Sequence, residues 1–279
     1  MAAPHWGPDQ ELGQELGQGL GLTSVDQSQA DSYHRTASTL PTRIARQDGN
    51  GIVYEDSLLS HVDPTLFEAA SWSGATVAPG DSGGRGATRF IEHSGQHLVL
   101  RHYYRGGAIS RVLDDQFLWL GEDRTRCFRE WRLLARLQEL GLPAPRPVAA
   151  RYQRSGFTYT ADLITVRIPA VESLSTRLRR GPSGAAVGAE VWTAVGQCIR
   201  IFHHAAVFHA DLNAHNLQID GLNRVFLLDF DRGCIRTDRS RWREANLARL
   251  HRSLTKISRD GAVTFTPREW RWLRDGYGR

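Results

Sequence analysis

Hydrophobic positions in the first 50 residues follow no period. "ELGQELGQGLG" is a Gly/Gln/Leu near-repeat, and "TSVDQSQADSYHRTAST" is polar throughout. Residues 1–50 are therefore expected to be a disordered extension, or to follow from a start site assigned upstream of the real one. From residue 81 the pattern changes. ATRFIEH and HLVLRHY read as strands flanking a Ser-Gly turn, with a glycine cluster just before the first. RTRCFREWRLLARLQELGLPAPRP then shifts to helical spacing. Phe128, Trp131, Leu134, Leu137 and Leu140 recur on one face, and Gly141 followed by Pro143 ends the run. FTYTADLITVRI reads as another strand or pair of strands.

The second half is helical. GAEVWTAVGQCIRIFHHAAVFHADL places Val191, Val195, Cys198 and Phe202 on one helix face. A Gly-Leu-Asn turn precedes the short apolar strand VFLLDF. Leu247, Leu250, Leu254 and Ile257 then repeat at intervals of three and four in a C-terminal helix. This order predicts an α+β protein, with a sheet-rich part over residues 51–165 and a helical part over 166–279.

At 279 residues the chain is long enough for two lobes with a shared core. Its composition, 41% hydrophobic and 23% charged, is that of an ordinary globular protein. Cys127, Cys198 and Cys234 are too few and too scattered for a disulfide framework, so reduced thiols in a cytosolic compartment are expected. No apolar run approaches the ~18 residues of a membrane span. The N-terminus lacks the basic start and apolar stretch of a signal peptide, so the protein is expected to stay inside the cell. Lys256 is the only lysine. Any step that needs a lysine must use that residue or turn to arginine.

The candidate chemistry lies in residues 209–216, HADLNAHN. His203, His204, His209 and His215 suggest a metal site, but separations of five and six residues do not converge on one helical face. Phosphoryl transfer needs different parts. A carboxylate orients the attacking hydroxyl, oxygen ligands hold Mg²⁺ against the phosphates, and cations neutralise the developing charge. Protein-kinase-like enzymes carry the first two on an H-x-D-x-x-x-x-N loop, followed by a metal-binding Asp after a short strand. His209, Asp211 and Asn216 match that loop at full spacing, and Asp229 follows the VFLL strand. Asp231 is open to either role, supporting the metal or the loop.

Upstream, Gly83, Gly84 and Gly86 form a candidate phosphate-covering loop. "LVLRHY" matches the strand that carries the kinase lysine, with Arg101 in its place. Arginine keeps its charge and presents a planar fork to phosphate oxygens, so the exchange is chemically workable. Glu130, on the following helix, is its expected partner.

Taken together, "LVLRHYYRGG", "LPAPRPVAA", "HADLNAHN" and "LLDFDRG" resemble the bacterial 3-deoxy-D-manno-octulosonic acid (Kdo) kinases within the lipopolysaccharide kinase family. The resemblance spans roughly residues 50–279, and that family also has arginine at the position of Arg101. It implies a two-lobed protein-kinase-like fold and ATP-dependent phosphorylation of the 4-hydroxyl of a Kdo residue on a Kdo-lipid A precursor. By motif position Asp211 resembles the proton acceptor, with Asn216 and Asp229 holding Mg²⁺ and Arg101, fixed by Glu130, on the phosphates. His209 would brace the loop, and Asn213 would position the phosphate or Asp211. The family's place is peripheral, at the cytoplasmic face of the Gram-negative inner membrane.

Two features favour a glycolipid acceptor over a protein. Only 50 residues follow Asp229, and they contain no Ala-Pro-Glu motif. From Arg232 to Arg259 there are nine basic residues and two acidic ones (Asp238, Glu244), a net of +7 against +5 for the whole chain. Such a run suits an anionic membrane surface, although a core helix with a solvated basic face has the same signature. Arg105, Arg111, Arg124 and Arg126 add cations for an acceptor carboxylate or lipid phosphate. No nucleic-acid module is present, so no nucleic-acid partner is expected, nor is an obligate protein partner. A heptose kinase, a small-molecule kinase of the aminoglycoside type and an inactive ATP-binding protein remain alternatives.

Overall fold

The computed structural model describes residues 40–72, 74–78, 88–105, 115–180, 187–236, 241–260 and 265–278. The first part is an eight-stranded antiparallel sheet built from β1 (Thr42–Gln47), β2 (Asn50–Glu55), β3 (Thr76–Val77), β4 (Arg89–His93), β5 (Gln96–His102), β6 (Phe117–Leu118), β7 (Pro147–Ser155) and β8 (Thr158–Val166). Their order is β1-β2-β7-β8-β5-β4-β3, with β6 paired to the start of β8. Two hairpins close through residues with positive φ. Ser94-Gly95 joins β4 to β5 (φ 50° and 74°) and Asp48-Gly49 joins β1 to β2 (φ 51° and 80°). Turns with both central residues at positive φ match the twist of the strands that they join.

Residues 42–50 therefore correct the expected boundary of the extension, because they form β1, its turn and the first residue of β2. Every residue of β1 is exposed, so it shows no apolar alternation. It is held instead by its backbone ladder to β2 and by the pairs of Arg43 with Asp56 and Arg46 with Glu122. The expected disorder of the preceding residues lies outside the described region.

Helix α1 (Arg126–Glu139) packs across β7 and β8, burying Phe128, Trp131, Leu134 and Leu137. Leu140, expected to continue that stripe, is the C-cap residue and is exposed. Gly141 follows at φ 64° and ends the helix.

The helical part begins with β9 (Glu172–Ser173) and α2 (Leu174–Arg179), whose N-cap Ser173 accepts from the Thr176 N–H at 3.0 Å. Next come α3 (Ala189–His204), β10 (Val207–Phe208), β11 (Leu217–Ile219), β12 (Val225–Leu227), β13 (Cys234–Ile235), α4 (Trp242–Arg259) and α5 (Pro267–Tyr277). Strands β9, β11 and β12 form a small antiparallel sheet, and β10 pairs with β13. One hydrophobic cluster runs from Phe128 and Trp131 on α1 through Trp192 and Phe202 on α3 to Leu250 and Leu254 on α4. The sheet and the helices therefore share a core, and the fold class is α+β. Cys127 and Cys198 are free and buried in this core, and burial pushes both thiols up to about 12, away from reactivity. Among the described residues no helix is long and apolar enough to cross a membrane.

Helices α3 and α5 cross backbone to backbone. A methyl group on Gly196 would overlap the Leu273 carbonyl, and one on Gly276 would overlap that of Thr193. Gly196→Ala is expected to destabilise the fold by about 1–3 kcal/mol, the usual cost of overpacking. Gly221, which has open space around it, serves as the control in a urea-unfolding comparison. Equal midpoints for the two alanine variants would contradict the close crossing.

Candidate functional site

Strand β10 delivers the chain into the loop His209–Asn216, and the β11–β12 hairpin returns it alongside. The Leu228 N–H donates to the Asn216 carbonyl at 2.9 Å, which seats Asp229 next to the loop. His209 is the internal brace. Its Nε2–H donates to the Leu228 carbonyl at 2.8 Å, and its Nδ1 accepts from the Asp211 N–H at 3.2 Å. That bonding pattern assigns the neutral tautomer. Burial lowers the pKa of His209, outweighing the Leu228 hydrogen bond, so the ring stays uncharged. Asn213 Nδ2 donates to Asp211 Oδ2 at 3.1 Å, and Asn213 Oδ1 accepts from the His215 and Asn216 amides at 2.8 and 3.1 Å. The loop is thus tied within itself at every second residue.

The facing wall comes from β5 and α1. Arg101 donates to Glu130 Oε2 and to Asp229 Oδ1, each at 2.5 Å, so its fork bridges α1 to the loop region. Tyr103 Oη–H also donates to Glu130 Oε2, at 2.6 Å, and the Tyr103 ring lies 4.7 Å beneath the Arg101 guanidinium. The two carboxylates respond differently to the shared cation. Glu130 is only 3% exposed; burial raises its pKa even though Arg101 opposes the shift. The Asp229 side chain is 39% exposed; there the charge and hydrogen bond of Arg101 outweigh burial and hold the group below the usual aspartate value. Asp229 also has φ 61°, unusual for a residue other than glycine, and its ion pair helps to hold that backbone in place.

A third wall carries no motif in the sequence. Three polar residues of α4 lie along the loop. Asn246 Nδ2 donates to the His209 carbonyl at 2.8 Å, Arg249 contacts Asp211 Oδ1 through Nε and Nη2 at 2.8 and 2.5 Å, and Ser253 Oγ accepts from the Ala214 N–H at 3.3 Å. Their spacing of three and four places them in one stripe beside the buried Leu247, Leu250 and Leu254. A polar stripe at the apolar period was the available signal. Behind Asn246, His203 Nε2–H donates to Asn246 Oδ1 at 3.4 Å, while His203 Nδ1 accepts from Tyr277 Oη–H at 2.8 Å.

Residues 70–277 match the model of the Lipopolysaccharide kinase (Kdo/WaaP) family. The chain belongs to the lipopolysaccharide kinase family. It is 44% identical over 226 residues to the 3-deoxy-D-manno-octulosonic acid kinase of Xanthomonas axonopodis pv. citri (strain 306), covering 81% of this chain and 88% of that protein. The protein of the same name from Stenotrophomonas maltophilia (strain K279a) is 42% identical over 246 residues, 88% of this chain and 96% of the relative. As a member of this family the protein is a phosphotransferase.

In this lipopolysaccharide kinase the other expected residues have mixed placements. Gly83, Gly84, Gly86 and Arg111 lie outside the described residues. Asp231 forms a bidentate pair with Arg126 of α1, including a 2.9 Å contact to Nε, so it ties the helix to the D-F-D turn. Arg126 is thereby engaged, and the Arg105 guanidinium stacks over Phe117 at 5.8 Å. Arg124 is exposed. The histidines do not converge: His203 is bonded as above, and His215 Nδ1 meets Ser175 Oγ at 2.8 Å. Among the described residues no group of three His, Cys, Asp or Glu side chains is arranged to hold a metal ion. Asn216 and Asp229 provide a different donor set. Asn216 Nδ2 donates to the Asp211 carbonyl at 2.9 Å, and its Oδ1 and the Asp229 carboxylate are hard oxygen donors of the kind a metal could use. One or two such oxygens, completed by phosphate and water, are what Mg²⁺ accepts.

The neutral histidines make stability depend on pH. Burial lowers His203 from 6.5 to about 4, against the opposing Asn246 hydrogen bond. The unfolded chain thus binds a proton near pH 6.5 that the folded chain takes up only near pH 4. Stability falls as pH drops through that window, by roughly 3 kcal/mol from this group. Urea unfolding between pH 7 and 4.5 is expected to show this slope, and His203→Gln is expected to flatten it. An unchanged slope in the variant would assign the pH dependence elsewhere.

Proposed function

We propose that this lipopolysaccharide kinase transfers the γ-phosphoryl group of ATP to the 4-hydroxyl of a Kdo residue on a Kdo-lipid A precursor. We read its fold as the two-lobed protein-kinase architecture, with the sheet and α1 as one lobe and the helical part as the other. The observation that carries this reading is the Arg101 fork between Glu130 and Asp229, opposite a loop bearing Asp211 and Asn216. The names of the Xanthomonas and Stenotrophomonas relatives supply the acceptor sugar.

In this mechanism Asp211, half-exposed on its loop, orients the acceptor hydroxyl and takes its proton. The hydroxyl oxygen forms the new P–O bond as the bond to the β-phosphate breaks and ADP leaves. Arg101 neutralises phosphate charge, and because Glu130 fixes it, the cation is in place before reaction. Asn216 and Asp229 would hold Mg²⁺, which when bound would stabilise charge on the phosphate oxygens. Asn213 keeps Asp211 in position, and His209 keeps the loop backbone in register.

The cytoplasmic face of the inner membrane is the proposed location, because the acceptor is a glycolipid and the 232–259 run is strongly basic. Sedimentation with anionic vesicles is expected at low salt and should weaken as salt rises, since screening shortens the reach of exposed charges to about 10 Å at 0.1 M. Equal binding to neutral vesicles would remove this location from the reading.

The test of the reaction is transfer of label from ATP, with Mg²⁺, to a Kdo-bearing lipid A precursor. Label is expected on that acceptor and not on the precursor lacking Kdo. Asp211→Asn is expected to lower kcat by about 10²- to 10⁴-fold, the range for loss of a positioned acid–base group, with circular dichroism unchanged. Transfer to the precursor lacking Kdo, or a fully active Asp211→Asn variant, would sink the proposal.

A further inference from the structure

Both oxygens of the Asp211 carboxylate accept hydrogen bonds. Oδ1 accepts two bonds from Arg249, at 2.8 and 2.5 Å, and Oδ2 accepts from Asn213 at 3.1 Å. Each carboxylate oxygen has two acceptor sites, so a hydroxyl that takes Oδ1, which already accepts two bonds, must displace Arg249. The two contacts are unequal. Asn213 sits in the same loop, two residues away, and also donates to the Asp211 carbonyl at 3.1 Å. Arg249 reaches from α4 on a long side chain, and the ion pair is exposed on both sides, 47% for Arg249 and 50% for Asp211. Exposed pairs of this kind are weak and easily exchanged. The arginine itself stays close by, because Asn246 and Ser253, on the same stripe, pin α4 to the loop at His209 and Ala214.

We propose that Arg249 is the acceptor-carboxylate residue: it exchanges Asp211 for the carboxylate of the acceptor sugar as the reacting hydroxyl takes Asp211 Oδ1. This rests on the Kdo reading, in which the acceptor is an octulosonic acid and carries a hydroxyl and a carboxylate on one sugar. The guanidinium fork suits a carboxylate bidentately and never loses its charge. The same exchange provides selectivity. A neutral sugar offers Arg249 no anion, so the arginine stays on Asp211 and competes with the incoming hydroxyl. Arg252 and Lys256 lie further along α4, and among the described residues neither makes a hydrogen bond or ion pair to the loop, whereas Arg249 pairs with the proposed proton acceptor.

The experiment compares wild type, Arg249→Gln and Arg249→Lys on two acceptors, the Kdo-bearing lipid A precursor and the same molecule with the Kdo carboxyl methyl-esterified. For wild type, esterification is expected to lower kcat/KM on the order of 10- to 100-fold, as for loss of a charge-assisted hydrogen-bonded pair. Arg249→Gln should show a comparable loss on the native acceptor, mainly in acceptor KM, and almost no further loss on the ester. Arg249→Lys, which keeps the charge without the fork, should fall between the two, and the KM for ATP should not move. Equal sensitivity of wild type and Arg249→Gln to esterification overturns the proposal. So does an equal loss by Arg249→Gln on both acceptors, which would make the residue a positioning group for Asp211 alone. A wild-type enzyme that phosphorylates neither Kdo acceptor overturns the underlying reading, and the proposal with it.

Discussion

The Arg101 guanidinium, 24% exposed, is shared between two carboxylates that lie 29 and 128 residues away along the chain. A cation so placed is tolerated only when it is paired and hydrogen-bonded, and Glu130, buried in α1, would be as costly if left alone. The three side chains therefore constrain one another and, through themselves, three elements: strand β5, helix α1 and the turn that follows β12. Tyr103 and Arg126 extend the constraint, one by donating to Glu130 and the other by gripping Asp231 next to Asp229. The close approach of sheet and loop follows from the need to pair these charges, and the core that runs from α1 into α3 and α4 supplies the stabilisation.

On the other side of the loop the constraint is uncharged. His209 and His203 are held neutral by burial and joined through Asn246, so the loop backbone is fixed by hydrogen bonds whose geometry does not depend on counter-ions. Charge is kept for the more open pairs, Asp211 with Arg249 and Asp229 with Arg101. This separation, a neutral brace behind and charged groups in front, suits phosphoryl transfer, whose catalysis is mostly positioning and electrostatic stabilisation.

Much of this was legible in the chain. The Ser-Gly hairpin, the α1 stripe ending at Gly141, the α3 face and the Leu/Ile repeat of α4 all appear where the periodicity places them. The pairing of Arg101 with Glu130 was also expected, because the kinase-like pattern sets the cation of that strand against an acidic residue on the following helix. Strand β1 was not seen: all of its residues are exposed, and burial is what writes a period into a sequence. Its Asp-Gly turn was the remaining signal.

The sequence by itself determined which chemical groups the protein brings to its site and in which local elements they sit. Loop spacing and hydrophobic period depend on neighbours a few residues apart. Tertiary structure decided which groups meet across long separations. Arg249 has the same sequence signature whether it points into solvent or onto Asp211, because both placements satisfy the same helical period. Only the docking of α4 along the loop, through Asn246 and Ser253, selects between them. Asp231 is a similar case: the sequence leaves it open to either role, and only the fold brings Arg126 of α1 against it. A charged residue declares its charge in the sequence; its partner is set by packing.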